Sequence, residues 1–325
     1  VKRLRTQRTL FENKKTKISE DPIEAASTLR QGGIVVFPTE TVYGIGADSR
    51  NHEACHRIYK IKNRPSDNPL IVHVAQVLEI HEIVELPESF EKLLDLFMPG
   101  PLTLVGKKKD QTTFSSGLAT IAIRVPENSS AREMLQSFGG PVSAPSANLS
   151  GRPSITRFND AVEEFSGKVD LILKGEEPKI GIESTVLDGT ANPPRILRPG
   201  FYDLEDLKAI YPNLESADPQ AFSEKPSSPG MKYRHYAPDC KVILSDTFPE
   251  SKPMIGVIGI GIGALWEYSV NVKDNHEYMK ELYSFFRDCD KKKLELAVCM
   301  HPSKAPGEEA LLNRIRKASE GSGEN

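Results

Sequence analysis

Short apolar, β-rich runs alternate with segments of helical periodicity along most of this chain, and that alternation restricts it to layered α/β architectures. Strands are expected at 33–38, 70–74, 102–105, 121–125, 142–144, 171–174, 184–187 and 195–197. Asp21 and Pro22 supply an N-cap and a first-turn proline for a helix reaching Arg30. Phe90, Leu93, Leu94 and Phe97 share one helical face, and that helix breaks at Pro99, Gly100 and Pro101. The stretch 171–197 carries strand runs with hardly any helix, so a mixed, twisted sheet is expected rather than a purely parallel one.

With 325 residues, two domains are the default. Composition changes near 212, where apolar periodicity fades and prolines accumulate. The expected organisation is a basic arm over 1–17, a first α/β domain over 18–211, a linker over 212–239 and a smaller α/β domain over 240–325. In the last of these, strands are expected at 241–244, 254–260 and 294–300, and helices at 278–289 and 308–318.

Formal net charge is -3, so the molecule as a whole is not a nonspecific polyanion binder. Local basic patches remain open, and the arm carries Lys2, Arg3, Arg5, Arg8, Lys14, Lys15 and Lys17 against Glu12. It reads as a solvated tail or as a nucleic-acid contact. No apolar run approaches the roughly 20 residues that span a bilayer. A secretory pattern of basic start, apolar core and small-residue cleavage site is also missing, and a cytoplasmic location is the expectation. Cys55, Cys240, Cys289 and Cys299 fit no metal or redox spacing and are expected to be buried thiols.

Several stretches place polar groups where a fold would free them for chemistry. "VVFPTETVYGIGAD" ends a buried strand at Pro38 and delivers Thr39, Glu40, Thr41 and Tyr43 into a turn closed by Gly44 and Gly46. Ligands of open α/β sheets sit beyond such strand ends. "KIKNRPSDNPLIVHV" sets Lys62 and Arg64 on a proline-stiffened loop, and if extended the two project to one side, as a polyphosphate clamp or a solvated loop. Arg124 lies inside the apolar strand "IAIRVPEN", with Thr120 on the same face, and a half-buried guanidinium needs an anionic partner from the protein or a ligand. "PVSAPSANLSGRPS" concentrates Ser143, Ser146, Asn148, Ser150 and Ser154 after a short strand. "GIESTVLDG" and "RILRPG" bring Glu183, Ser184, Thr185 and Arg198, with Glu183 expected to pair with an arginine rather than bind a cation. Walker, nucleophile-elbow and zincin motifs are absent.

Together these stretches resemble the YrdC-like family, most closely the long, two-domain form of the threonylcarbamoyl-AMP synthases. The pieces that match are "FPTETVYGIGA", "KNRPSDNPLIVHV", "PGPLTLV", "IAIRVP", "SAPSANLSGRPS", "GIESTVLD", "ILRPG" and "SPGMKYRHYAP", in order between Ile18 and Pro238. The family's Lys-x-Arg motif is matched by Lys62-Asn63-Arg64, and its Ser-x-Asn motif by Ser146-Ala147-Asn148. The resemblance implies a YrdC-like twisted mixed sheet with flanking helices, joined by a long linker to a smaller Rossmann-like α/β domain. It implies a nucleotidyltransferase that joins L-threonine, bicarbonate and ATP into L-threonylcarbamoyl-AMP with release of pyrophosphate, feeding N6-threonylcarbamoyladenosine in tRNA. Lys62 and Arg64 would be the catalytic pair, holding phosphates together with Asn68. Arg124 would take the threonine carboxylate, with Thr41, His73, the Ala144 backbone and Ser184 lining the amino-acid pocket. Thr120, Ser146, Asn148, Ser154 and Arg198 would hold the nucleotide, and Tyr236 would reach it from a linker that closes as a lid. Mg2+ would ride on ATP with no fixed metal site and no organic cofactor. A downstream tRNA-modification transferase complex would be the partner, and direct contact with tRNA is the weaker expectation. The alternative is an RNA-binding or translation-regulatory module without turnover, using the arm and the Lys62/Arg64 loop, though aromatic interleaving for base stacking is sparse.

Overall fold

The computed structural model describes residues 15–216, 236–250, 252–263 and 265–320. The first part runs β1 (Lys17–Ser19), α1 (Pro22–Arg30), β2 (Val35–Phe37), β3 (Gly44–Asp48), α2 (His52–Lys62), β4 (Ile71–His73), α3 (Ile80–Ile83), β5 (Val84–Glu85), α4 (Glu91–Phe97) and β6 (Leu102–Lys108). It continues through β7 (Thr120–Arg124), α5 (Ser129–Phe138), β8 (Val142–Ala144), α6 (Phe158–Phe165), β9 (Leu171–Leu173), β10 (Thr185–Asp188), β11 (Arg195–Arg198), α7 (Leu204–Lys208) and β12 (Glu215–Ser216). The remainder comprises β13 (Lys241–Ser245), β14 (Ile255–Ile260), β15 (Tyr268–Val272), α8 (Asn275–Lys291), β16 (Leu296–Met300) and α9 (Glu308–Ser319).

Local chemistry sets the helix starts. Asp21, Asn51, Asn128 and Asp274 each accept a backbone N–H from the first turn of α1, α2, α5 and α8. The strands form a 12-stranded sheet in the order β1-β9-β2-β3-β8-β4-β7-β6-β10-β11-β12, with β5 on β6. It is mixed: β4 pairs with β7 in parallel and with β8 antiparallel. Alternate residues of β2 pack to opposite sides, Val36 with Ile58 and Phe165, Val35 and Phe37 with Leu29 and Met134. Helices therefore cover both faces.

Five strands escape the sequence reading: β1, β3, β5, β12 and β15. The turn expected to follow Pro38 gives way to β3 at Gly44, and the expected Gly-x-Gly closure is itself strand. A side chain at Gly46 would bring its Cβ within 2.8 Å of Val142 and 2.9 Å of Phe37, so close packing demands a residue that depresses strand propensity. In β15, apolar and polar residues alternate at the rim of the second sheet. The composition change at 212 precedes the sheet's end, because β12 pairs with β11 and Leu214 is buried. The basic arm up to residue 14 and the linker over 217–235 lie outside the described residues.

The second sheet, β13-β16-β14-β15, is parallel throughout. Its helix α8 packs back onto the first unit, and one core cluster joins Val42 and Ile182 to Tyr278, Leu282 and Tyr283. Charged pairs reinforce this junction: Arg157 with Asp288 at 2.8 Å, Arg287 with Glu164 at 2.8 Å and Lys291 with Asp160 at 2.5 Å. Gly181 is the tight point. Its φ is 87°, and an added Cβ would collide with the backbone of Lys280 and Met279 in α8. Gly181→Ala is thus strained twice, by left-handed backbone and by lost clearance. The expected result is a loss of about 1–3 kcal/mol in denaturant unfolding. A change below about 0.5 kcal/mol would mean that the two units do not approach this closely.

Candidate functional site

Pleating turns directly opposed residues to the same side of a sheet. Register places His73 opposite Arg124 and Ile71 opposite both Ala122 and Ala144. All of these except Ala122 line one cleft. Loops leaving β2 and β8 bring Thr39, Thr41, Ser146 and Asn148 to its walls, the approach to β10 brings Glu183 and Ser184, and β11 ends at Arg198. Tyr236 closes one side in a left-handed conformation at φ 67°.

The cations of this cleft are held mostly by neutral oxygens. Lys62 is 1 % exposed. It donates to the backbone oxygen of Ser146 at 2.6 Å and to the backbone and side-chain oxygens of Asn148. Arg64 is half-buried and donates from Nε to Asn68 O and from Nη2 to Pro69 O. Arg198 donates to the backbone and hydroxyl oxygens of Ser184. Burial, and then the neighbouring Arg64, holds Lys62 well below its ordinary value. Burial likewise pulls Arg64 down to about 10 and lowers Arg198. Such cations gain from any anion that enters.

Arg124 differs. It pairs with Glu40 and donates from Nη1 to Thr41 Oγ1 at 3.0 Å, while its buried Nε has no partner. The second Glu40 oxygen accepts the Glu127 N–H at 3.0 Å. So the anionic partner left open by the sequence is a carboxylate of the chain, with one donor still unused. His73 is buried, and Nδ1 contacts the Ile71 carbonyl at 3.1 Å, which makes it the donor. Burial, and then Arg124, drives His73 down to about 3, so the ring is neutral near pH 7.

Glu183 does pair with an arginine, from the second unit: Arg314 donates from Nε at 3.0 Å. Tyr283 donates to the same oxygen at 3.0 Å, and Ser154 to the other at 2.6 Å. Tyr236 stacks on Tyr283 at 5.5 Å between ring centroids, with the Arg314 guanidinium 5.3 Å from the Tyr236 ring.

Among the residues expected at the site, Thr41, Lys62, Arg64, His73, Arg124, Ala144, Ser146, Asn148, Ser184, Arg198 and Tyr236 meet in the cleft. Asn68, Thr120 and Ser154 do not line it. Asn68 is buried behind Arg64 with Oδ1 unpartnered, Ser154 stands behind Glu183, and Thr120 begins β7 at the end away from Arg124. The extended geometry assigned to Lys62 and Arg64 is corrected: Lys62 ends α2, Asn63 caps it at φ 51°, and this left-handed turn brings both cations to the cleft. Tyr43 and Ser150, noted in the sequence but assigned no role there, also line the cleft, and Arg314 was missed as the partner of Glu183. Arg314 had a signal, since it shares the buried stripe of α9 with Ala310, Leu311, Ile315 and Ala318.

Comparison with known proteins shows which family the chain resembles. Residues 27–200 match the Sua5/YciO/YrdC family model, described as telomere recombination. Residues 202–320 match the model described as threonylcarbamoyl-AMP synthase, C-terminal domain. Threonylcarbamoyl-AMP synthase of Pyrococcus abyssi is 36% identical over 96% of this chain and 98% of the relative. That of Bacillus subtilis is 41% identical over 70% of this chain and 67% of the relative. The crystal structure of P. abyssi Sua5 complexed with L-threonine superposes with a TM-score of 0.86 at 32% identity, covering 95% of this chain and 98% of that one. Escherichia coli YciO shares the fold, with a TM-score of 0.53 at 24% identity over 60% of this chain.

A buried ammonium among neutral acceptors is an electrostatic burden that an apolar isostere removes, while water can reach the acceptors left in an open cleft. Lys62→Met is therefore expected to keep or raise the thermal midpoint. A fall of more than about 4 °C would show that the hydrogen bonds of the ammonium outweigh its desolvation.

Proposed function

The chain belongs to the Sua5/YciO/YrdC family, in the two-domain form of the threonylcarbamoyl-AMP synthases, and from that premise we propose how its cleft makes L-threonylcarbamoyl-AMP. The substrates are L-threonine, bicarbonate and ATP, and the product supplies N6-threonylcarbamoyladenosine in tRNA. The observation that carries this reading is the cluster of Lys62, Arg64 and Arg198, buried or half-buried and held by neutral oxygens at the cleft wall.

The threonine amine adds to the bicarbonate carbon, forming an N–C bond and expelling water, to give a carbamate. A carbamate oxygen then attacks the α-phosphorus of ATP. The bond from that phosphorus to the bridging oxygen breaks, and pyrophosphate leaves. This sequence requires positioning and charge neutralisation more than a covalent nucleophile. Lys62 and Arg64, the catalytic pair of this reading, neutralise charge at the phosphates, with Asn68 supporting Arg64 from behind. Ser146, Asn148 and Arg198 hold the nucleotide, Ser154 acts on it through Asn148 and Glu183, and Thr120 is the weakest of these assignments because it stands apart. The unused Nε of Arg124 faces the threonine carboxylate, with Thr41, neutral His73, the Ala144 backbone and Ser184 around the amino acid. Tyr236 shields the adenylate from water.

Mg2+ enters as part of the Mg·ATP substrate. Among the described residues no cluster of three or more His, Cys, Asp or Glu side chains is arranged to hold an ion. The product passes to a tRNA-modifying transferase, and the reading places both in the cytoplasm. No helix among the described residues is long and apolar enough to cross a membrane. The relatives support synthesis and lend nothing to an RNA-binding module without turnover.

Steady-state pyrophosphate release tests the assignment. Arg124→Ala is expected to lower kcat/KM for threonine, and Arg64→Ala that for ATP, each by about 10²–10³-fold, as for a truncated charge pair. Variants that remain folded and lose less than about threefold would contradict it.

A further inference from the structure

We propose that Arg314 of α9 is a positioning residue for the nucleotide side of the cleft, neutralising Glu183 from behind so that it does not quench the cations in front. The inference rests on the functional reading above. Glu183 is the carboxylate among the charged groups lining the cleft, and it is 5 % exposed. Both its oxygens are engaged by groups other than Lys62 and Arg198: Oε2 by Arg314 and Tyr283, Oε1 by Ser154. Burial alone would raise its pKa, but Arg314 first and Arg198 second hold it below the ordinary value, so it carries its charge. Without Arg314, the strongest remaining positive influence on Glu183 is Arg198, which the nucleotide needs.

The same contact reaches the binding loop. Ser154, fixed by Glu183, also approaches Asn148 Oδ1 at 3.5 Å, and that oxygen accepts the Ser146 hydroxyl at 2.7 Å. Lys62 donates to the backbone oxygens of both loop residues. A second-unit arginine is thus three hydrogen bonds from Asn148 of the nucleotide loop, through Glu183 and Ser154. Stability alone does not account for Arg314. It is fully buried, its Nη2 has no acceptor, and a buried ion pair is often no better than a well-packed apolar pair.

The test compares Arg314→Met, Glu183→Gln and the double variant in the full-length chain, with thermal midpoints recorded for each. Arg314→Met is expected to raise KM for ATP about tenfold or more, which is about 1.4 kcal/mol, while KM for threonine moves less than about threefold. The double variant is expected to recover most of the ATP affinity, because glutamine carries no charge to quench the cations. A merely structural role would lower the midpoint and kcat together, with no selectivity for ATP and no rescue. A folded Arg314→Met with native KM for ATP would overturn the proposal, as would a double variant no better than the single. Should Arg314→Met fail to fold, the double variant decides alone: ATP KM within about tenfold of native supports the proposal, and a larger defect refutes it. Native protein without threonine-dependent turnover would instead defeat the functional reading, and so the two failures are distinguishable.

Discussion

Burying a cation without a carboxylate is the constraint around which this cleft is organised. Removing an ammonium or guanidinium from water is expensive, and a fold normally offsets that with an acidic partner. Lys62 and Arg198 receive carbonyl, amide and hydroxyl oxygens instead, and half-buried Arg64 receives backbone carbonyls. The free energy left unrecovered by such partners is available to an entering polyanion. Strand ends supply the acceptors at no further cost, because pairing stops there and carbonyls become free.

The two carboxylates near the site are handled differently. Glu40 sits on Arg124 and on the Glu127 N–H, so this part of the cleft holds a near-balanced pair with one guanidinium donor spare. Glu183 is drawn backward by Arg314 and Tyr283, both from the second unit. On the proposed reading, the positive field around Lys62 and Arg198 depends on the second unit being docked. That docking rests on an apolar cluster containing Val42 and Ile182, on the ion pairs of α8, and on the clearance at Gly181. The linker end belongs to the same assembly, since the Tyr236 ring contacts both Tyr283 and Arg314 while the Ala237 N–H is bonded to Gly151 O.

Much of this was legible in the sequence. The β-branched runs that became β2, β4, β7 and β9 announce themselves, and the mixed sheet followed from the scarcity of helix between 171 and 197. Arg124 was conspicuous as a charge in an apolar strand. What stayed hidden has physical causes. Glycine at 44 and 46 makes β3 possible and at the same time erases its propensity signal. The left-handed cap at Asn63 leaves no mark in a residue alternation, so Lys62 and Arg64 reached the same cleft by a geometry the sequence did not suggest. Glu183 and Arg314 are 131 positions apart, and only the packing of α9 on the first unit joins them. Arginine on an apolar helical stripe pointed to a buried partner without saying which one.

The central claim is that the cleft joins three substrates into one adenylate. The most direct measurement incubates the protein with adenine-labelled ATP and Mg2+, resolves the labelled products rapidly by chromatography, and omits threonine and bicarbonate in turn. The account predicts a new labelled adenylate, with stoichiometric pyrophosphate, only when threonine and bicarbonate are both present. ATP left unconverted by folded protein in the complete mixture, or an adenylate that forms without threonine, would contradict it.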